Sequence, residues 1–289
     1  METRSGKTFE DYKILEKPSK LATSTSEFRQ IDVNTLNINF LGTNEKMEIF
    51  DLNPSYIPEF FYIKNFDKLT IRTLVQNQNI NKILTREEMS LSKYLDKIIE
   101  NEEVTRGTSE SNTDSLVNYI LKKLNLDEDP FLLRIQPNYK FYVQNHEINS
   151  NPEFSIEKDN LVVFIDEDKH IKNIGPSKKW GENQIAGEIL AAAYNNFNNM
   201  SLYNKPIQDN QIVYSMRVIG TKFTFYKAII PYSYLQSLGD GFPNESFSIY
   251  RFPNNKYDES FSHYDYTIPE ERKIVIEMLF RLHEKLFNI

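Results

Sequence analysis

The stretch of residues 151–170, NPEFSIEKDNLVVFIDEDKH, constrains the fold more than any other part of the sequence. Residues 161–165 are all apolar, so a strand at this place carries apolar side chains on both of its faces. Such a strand is typical of the centre of a sheet that is covered on both sides. The run passes directly into the charged residues 166–170. We therefore predict a central strand whose carboxyl end presents charged groups.

The composition narrows the class of protein. The chain has 289 residues, no cysteine and a formal net charge of −7, so disulfides and thiolate metal sites are excluded. The acidic balance argues against a strong general attraction to nucleic acid, but it does not exclude a local basic patch. The first residues lack the apolar core of a signal peptide, and no apolar run approaches the roughly 20 residues of a membrane span. We expect an intracellular protein of the cytoplasm or nucleus, without contact to a membrane.

Three regions follow from the pattern of apolar and polar residues. Residues 1–30 are polar and are predicted to form a flexible tail. Residues 31–104 are predicted to be rich in short strands and to end in an amphipathic helix, where Thr85 and Glu88 have the spacing of a capping box. Residues 105–289 show the order helix, strands, helix, strand pair and carboxy-terminal helix. This order predicts an α/β or α+β domain of ordinary size.

The charged end of the predicted strand separates into two faces because side chains alternate along a strand. Glu167 and Lys169 share one face, and Asp166, Asp168 and His170 share the other. A carboxylate that binds a divalent cation, with an ammonium beside the attacked phosphate, suits metal-assisted hydrolysis. Carboxylate oxygens favour Mg²⁺ or Mn²⁺ as the ion. Two other interpretations compete with this one. Glu167 and Lys169 could be a solvated ion pair, or the face of Asp166, Asp168 and His170 could bind a metal instead.

Glu153 is the candidate for a second acidic ligand, because it precedes a short strand that should form a hairpin with the charged strand. A three-residue loop at residues 158–160 would place Glu153 beside Glu167 along one face. A loop of two or four residues would place it with Asp166 and Asp168, and a bulge would reverse either outcome. The sequence does not choose among these registers.

One ordered set of features resembles the PD-(D/E)xK nuclease superfamily. It consists of Pro152-Glu153, a short hairpin, Glu167-x-Lys169 and a following helix that carries Gln184. Over residues 108–230 it is similar, more narrowly, to the nuclease-like domains of fungal and Crinkler-type proteins. The resemblance implies the restriction-endonuclease-like fold, in which helices flank a mixed central sheet. It also implies a magnesium-dependent hydrolase of phosphodiester bonds.

The resemblance assigns roles position by position. Glu153 and Glu167 match the two metal-binding acids, and Lys169 matches the catalytic lysine. Gln184 matches a helix glutamine near the site, and Glu110, or as second choice Asp114, matches an acid on the preceding helix that assists metal binding. The family usually has aspartate where this chain has Glu153, which is one methylene longer.

A short basic and aromatic loop follows the charged strand. Lys172, Lys178, Lys179 and Trp180 are predicted to contact phosphates and to stack on a base. We expect nucleic acid as the partner, with DNA favoured over RNA. The alternative is an inactive nuclease-fold module that binds protein or nucleic acid, and residues 31–104 are the candidate surface for a protein partner.

Overall fold

The computed structural model describes residues 14–77, 83–103, 110–203, 209–254 and 258–289. It shows the predicted mixed α/β architecture, in which helices flank a large mixed sheet. The strands are β1 (Ile38–Gly42), β2 (Phe131–Ile135), β3 (Tyr139–Val143), β4 (His146–Ser150), β5 (Phe154–Lys158), β6 (Leu161–Lys169), β7 (Asn210–Ile219), β8 (Lys222–Pro231), β9 (Phe247–Phe252) and β10 (Tyr264–Asp265). The helices are α1 (Gln30–Thr35), α2 (Lys46–Ile49), α3 (Lys68–Gln76), α4 (Arg86–Glu103), α5 (Ser111–Lys123), α6 (Glu182–Leu202), α7 (Tyr232–Ser237) and α8 (Pro269–Phe287).

The main sheet has the strand order β1-β9-β8-β7-β6-β5-β2, with β10 beside β8. The pairs β1–β9 and β6–β7 are parallel, and the other pairs of this sheet are antiparallel. The strand β6 thus lies inside the sheet, between β5 and β7, and residues 162–168 are all buried. Its position confirms the prediction of a central strand that is covered on both faces.

Two apolar layers cover the sheet, and α6 is the principal helix of one of them. Small residues let this helix lie close to its neighbours: Ala191, Ala192 and Ala193 belong to the apolar layer, and Gly187 faces Thr25 and Phe28. The other layer contains α4, α5 and α8, which bury one face of β6 and β7. Among the helices in the described ranges, none combines the length and the apolar character that crossing a membrane requires.

Local signals in the sequence explain several helix ends. The backbone N–H of Thr85 donates to Oε2 of Glu88 at 2.9 Å, and the N–H of Glu88 donates to Oγ1 of Thr85 at 3.2 Å. These reciprocal bonds confirm the capping box at the start of α4. The helix α8 begins at Pro269, as predicted, since proline fits the first turn, where no backbone donor is required.

The prediction of a strand-rich region over residues 31–104 is wrong. In the described part of this region, β1 is the one strand, and the stretches KMEIFDL and KLTIRTLV contain the helices α2 and α3. The β-branched residues of KLTIRTLV suggested a strand, but Asp67 caps the helix by accepting from the N–H of Thr70 at 2.8 Å. The stretch FFYIKNF forms a 3-10 helix instead of a strand. Moreover, β1 pairs with β9, so this region shares the main sheet with the rest of the chain.

Two further differences concern residues that the sequence placed in loops. Residues 1–13 of the predicted flexible tail lie outside the described residues, but Leu21, Thr25 and Phe28 are buried. The stretch from residue 14 to residue 29 is therefore packed against the body of the protein. The segment that begins at His146 forms β4 and pairs with β3 in a separate hairpin.

Replacing Met278 on α8 by alanine should lower the free energy of unfolding by about 2 to 5 kcal/mol. Met278 is fully buried in the same apolar layer as Leu282 and Leu286, so the truncation leaves a cavity. Chemical denaturation of the full chain measures the loss. Lys273→Ala, at an exposed position of the same helix, is the matched control and should stay near the wild-type value. An equally small change for Met278→Ala would mean that α8 does not contribute to the core.

Candidate functional site

The hairpin of β5 and β6 delivers the acidic residues to one end of the sheet. Its turn has two residues, Asp159 and Asn160, with φ of 53° and 63°. That turn alone would align Glu153 with Asp166, but a bulge near Ile156 shifts the register, so that Phe154 faces Asp166. The N–H of Glu153 then donates to the carbonyl of Asp166 at 3.1 Å. The bulge is therefore the feature that decides the position of Glu153.

Glu167 and Lys169 are in direct contact at the carboxyl end of β6. The Nζ atom of Lys169 forms an ion pair with Oε1 of Glu167 and lies 3.8 Å from Oε2 of Glu110. Glu110 sits at the amino end of α5, and its Oε1 accepts from Nδ2 of Asn173 at 3.0 Å. The structure thus brings together the predicted lysine, one predicted metal ligand and the predicted assisting acid.

The helix α6 supplies the other neighbours of Glu167. The Nε2 atom of Gln184 donates to Oε1 of Glu167 and, at 2.8 Å, to Oε1 of Glu188. Gln184 therefore lies at the site, as its match in the sequence pattern predicts. The sequence analysis assigns no role to Glu188, which follows Gln184 by four residues on this helix. The spacing of four residues was the signal, because residues four apart on a helix lie on the same side.

Burial dominates the electrostatics of this group. Burial raises the pKa of the Glu167 carboxyl to about 7, although the neighbouring ammonium of Lys169 acts to lower it. Burial alone would lower the pKa of Lys169, but the carboxylates of Glu167 and Glu110 outweigh it and hold that pKa above its ordinary value. Lys169 therefore remains an ammonium at neutral pH, whereas Glu167 exchanges its proton near neutrality.

Glu153 lies at the rim of the site rather than in contact with Lys169. Its Oε2 accepts from Nε2 of Gln136 at 3.0 Å, and its side chain is partly exposed. Its charge is close enough to raise the pKa of Glu167 and that of Asp114. Burial, together with the charges of Glu153 and Glu110, raises the pKa of Asp114 to about 6. The acids at the rim thus repel one another, and a cation would relieve that repulsion.

The opposite face of β6 carries the second acidic group that the sequence offered. Asp166 and Asp168 are fully buried, and in the described part of the chain no donor group of another residue reaches their four carboxylate oxygens, so the two carboxyl groups have only each other as hydrogen-bond partners. Burial raises the pKa of each well above the ordinary range of aspartate. The Nε2 atom of His170 is buried and has no partner among these residues either. Burial therefore favours the protonated form of both aspartates on this face.

The basic loop after β6 lies beside Lys169 and Gln184. Lys178 lines a cavity of about 50 Å³ together with Lys169 and Gln184, and Phe28 forms part of the opposite wall. Lys172 is exposed and Lys179 is partly buried, and Nζ of Lys172 donates to the carbonyl of Asn101 at 3.2 Å. Of the three loop lysines, Lys178 is thus the one that the structure places beside Lys169 and Gln184.

Trp180 makes contacts within the protein instead of presenting both of its faces to solvent. Its ring stacks on Phe261 at a centroid distance of 3.9 Å, and its Nε1 donates to Oδ2 of Asp258 at 2.7 Å. The carbonyl of Trp180 accepts from the buried guanidinium of Arg217 at 2.6 Å. These contacts fix the loop in place, and they occupy one face of the ring and its N–H group.

The residues present fit a hard divalent cation. The Oε2 atom of Glu167 is buried and no donor group of another described residue reaches it, so one oxygen is available to a ligand. Within the ranges that the structure covers, no three His, Asp or Glu side chains are arranged around one ion. Mg²⁺, however, commonly takes only one or two carboxylates and completes its shell with water and substrate phosphates. Glu167, with Glu153 and Glu110 at the rim, meets that requirement.

The thermal stability of the protein should fall as the pH rises from about 5 to about 7.5 in buffer with a chelator. The pKa of Glu167 is raised from 4.5 to about 7 in the folded chain. The contribution of its protonated form to the free energy of unfolding is therefore complete below pH 4.5 and is lost as the pH rises through about 7. At most it amounts to about 3 kcal/mol. Asp114, whose pKa is also raised, contributes with the same sign.

Melting curves across this pH range test the assignment. Glu167→Gln does not titrate and should show a flatter dependence than the wild type. Glu128→Gln, at an exposed glutamate, serves as the control and should follow the wild-type curve. A Glu167→Gln curve that is parallel to the wild-type curve would show that the Glu167 carboxyl keeps an ordinary pKa.

No protein-family model matches the sequence, and no curated protein matches it. The resemblance of its motifs to the PD-(D/E)xK superfamily therefore stays a prediction. The evidence for a function of this chain therefore comes from the residues at the end of β6 and from their contacts.

Proposed function

We propose that this protein is a metal-dependent nuclease that hydrolyses phosphodiester bonds, with DNA favoured over RNA as the substrate. The observation that carries the proposal is the contact of Lys169 with Glu167 at the end of a buried strand, where no donor group of another described residue reaches Oε2 of Glu167. Buried ionisable groups with perturbed pKa values cluster at functional sites, and an unsatisfied buried oxygen calls for a ligand or another explanation.

Each residue has a separate role in this proposal. Glu167 and Glu153 would hold Mg²⁺ or Mn²⁺, with Glu110 as the assisting acid. The ion, when bound, supplies a positive charge for the phosphate and lowers the pKa of a water molecule that it binds. Lys169 binds an oxygen of the scissile phosphate and offsets the negative charge that develops there. Gln184 donates to Glu167 and so keeps that carboxylate oriented toward the ion.

The loop lysines Lys178, which is exposed, and Lys179, which is partly buried, extend the positive charge of Lys169 along the substrate backbone in this proposal. A chain with a net charge of −7 repels nucleic acid at long range, so a local patch has to supply the attraction. An intracellular location, in the cytoplasm or nucleus, belongs to the same proposal because nucleic acid is found there.

A second candidate is an inactive module of the same fold that binds protein or nucleic acid. The position of Glu153 favours it, because this acid is longer than the aspartate of the pattern and is held by Gln136. Fold alone does not decide between the two functions. An assay that measures cleavage of plasmid DNA, single-stranded DNA and RNA, with and without Mg²⁺, decides between them. Absence of Mg²⁺-dependent cleavage on all substrates would exclude the nuclease and leave the module.

Lys169→Met should abolish cleavage and retain the binding of a divalent cation. Methionine keeps the apolar stem of lysine but removes the ammonium, and the ammonium acts on the phosphate without ligating the ion. Removing it also leaves Glu167 uncompensated, so Mn²⁺ should bind at least as tightly as in the wild type. Gel cleavage assays and calorimetric Mn²⁺ titration measure the two effects. Lys140→Met, in an exposed pair with Glu147, is the control.

Either of two results would count against this role for Lys169. Cleavage at the wild-type rate by Lys169→Met would show that the ammonium is not required. Loss of Mn²⁺ binding in a variant that still melts cooperatively would show that Lys169 organises the cation site itself.

Lys178→Ala combined with Lys179→Ala should weaken nucleic-acid binding and make it less sensitive to salt. Each phosphate contact that is removed lowers the slope of log affinity against log salt by about 0.7 to 0.9. Binding titrations at several salt concentrations measure this slope. Lys93→Ala combined with Lys122→Ala removes the same charge from exposed helix positions and should leave the slope unchanged. Equal slopes for both double variants would exclude the loop as the phosphate contact.

A further inference from the structure

Glu188 is the buried acid of this site that the proposed mechanism leaves without a role. It lies on α6, one turn after Gln184, and is fully buried. Its Oε1 accepts from Nε2 of Gln184 at 2.8 Å, and the same nitrogen donates to Oε1 of Glu167. A single amide group therefore bridges the two carboxylates and holds them next to each other.

The second oxygen of each carboxylate is the informative one. The Oε2 atoms of Glu167 and Glu188 are both buried, and no donor group of another described residue reaches either of them, so the hydrogen bond open to the pair is a proton shared between the two carboxyl groups. The ammonium in contact with this pair, that of Lys169, is directed to Oε1 of Glu167. A buried carboxylate oxygen without a donor costs free energy that a cation or a proton has to offset. The pair is thus built to share a positive charge between its Oε2 atoms.

We propose that Glu167 and Glu188 form the buried half of a divalent-cation site. This inference rests on the proposed function for the presence of Mg²⁺ or Mn²⁺, but it assigns a ligand that the sequence motif does not contain. Two carboxylates from rigid elements, β6 and α6, satisfy the small number of protein ligands that Mg²⁺ takes. Gln184 sets the separation of the two carboxylates by bonding one oxygen of each.

The assignment changes the role of the partly exposed acids. Glu153 accepts from Gln136 and is solvent-accessible at the rim, so its carboxylate is less restricted than that of Glu188. Glu110 is engaged by Asn173 and Lys169. In the proposal these two acids stay at the rim and add negative charge near the cation without ligating it. The buried pair provides the larger share of the affinity for the cation.

Calorimetric titration of the full chain with MnCl₂ tests the proposal, together with Mn²⁺ electron paramagnetic resonance as a direct count of the free ion. Glu188→Gln keeps the size of the side chain and the acceptor for Gln184 but removes the charge. We expect its Mn²⁺ affinity to fall by about 10-fold to 100-fold or more, since even outer partners of a metal ligand have effects of this size. Glu153→Gln should cause a smaller loss, and the exposed control Glu128→Gln none.

Glu188→Asp is the second variant, in case the neutral side chain prevents folding. It keeps the charge on a shorter arm, so its affinity should lie between that of Glu188→Gln and that of the wild type. Wild-type affinity in both Glu188 variants would overturn the proposal, as would a wild-type chain that binds no Mn²⁺ at millimolar concentration. A smaller loss for Glu188→Gln than for Glu153→Gln would also overturn it.

The cleavage assay separates failure of this inference from failure of the proposed function. A wild-type chain that binds Mn²⁺ through Glu188 but cuts no nucleic acid excludes the nuclease and keeps the cation site. If the wild-type chain cleaves nucleic acid with Mg²⁺ and the Glu188→Gln variant binds Mn²⁺ with wild-type affinity, the proposed nuclease function stands and Glu188 is excluded as a ligand.

Discussion

Burial of the charged end of β6 is the constraint on which the rest of the site depends. Residues 162–168 are all buried, although three of the last four residues of β6 are acids and the fourth is lysine. Ionised groups in such surroundings are costly unless a partner compensates them. On the α6 side, Lys169 and Gln184 compensate Glu167. On the α5 side, Asp166 and Asp168 have only each other as hydrogen-bond partners within the described chain, so one strand carries two acidic faces of different character.

The parallel pairing of β6 and β7 connects this end of the sheet to segments that are distant in sequence. Glu167 and Arg217 are direct neighbours in the two strands. The guanidinium of Arg217 reaches the carbonyl of Trp180 at 2.6 Å and that of Ser260 at 2.9 Å. A buried arginine that binds carbonyl groups restricts both segments at once. The basic loop therefore gains its position from β7 as well as from the strand that precedes it.

Patterns that act over a few residues were readable in the sequence. The capping box of Thr85 and Glu88 and the face shared by Glu167 and Lys169 follow from local rules of geometry. The bulge that positions Glu153 was not predictable, because it depends on how the hairpin packs in the sheet. The helix α3 was mistaken for a strand because its β-branched residues outweighed the cap at Asp67. Glu188 was visible as a helix neighbour, but its burial beside Glu167 required the fold.

The packing of the first described residues against α6 determines how this protein can be divided. A Cβ atom at Gly187 would lie 2.7 Å from Cγ2 of Thr25 and 2.9 Å from Cε2 of Phe28, so this segment and the helix touch without spare room. Farther along the chain, β1 covers the edge of the sheet at β9. A fragment that began at residue 105 would expose the apolar side of α6 and open a sheet edge to aggregation. Biochemical work on the site thus calls for the whole chain, because the boundary that the sequence suggests cuts through a single folding unit.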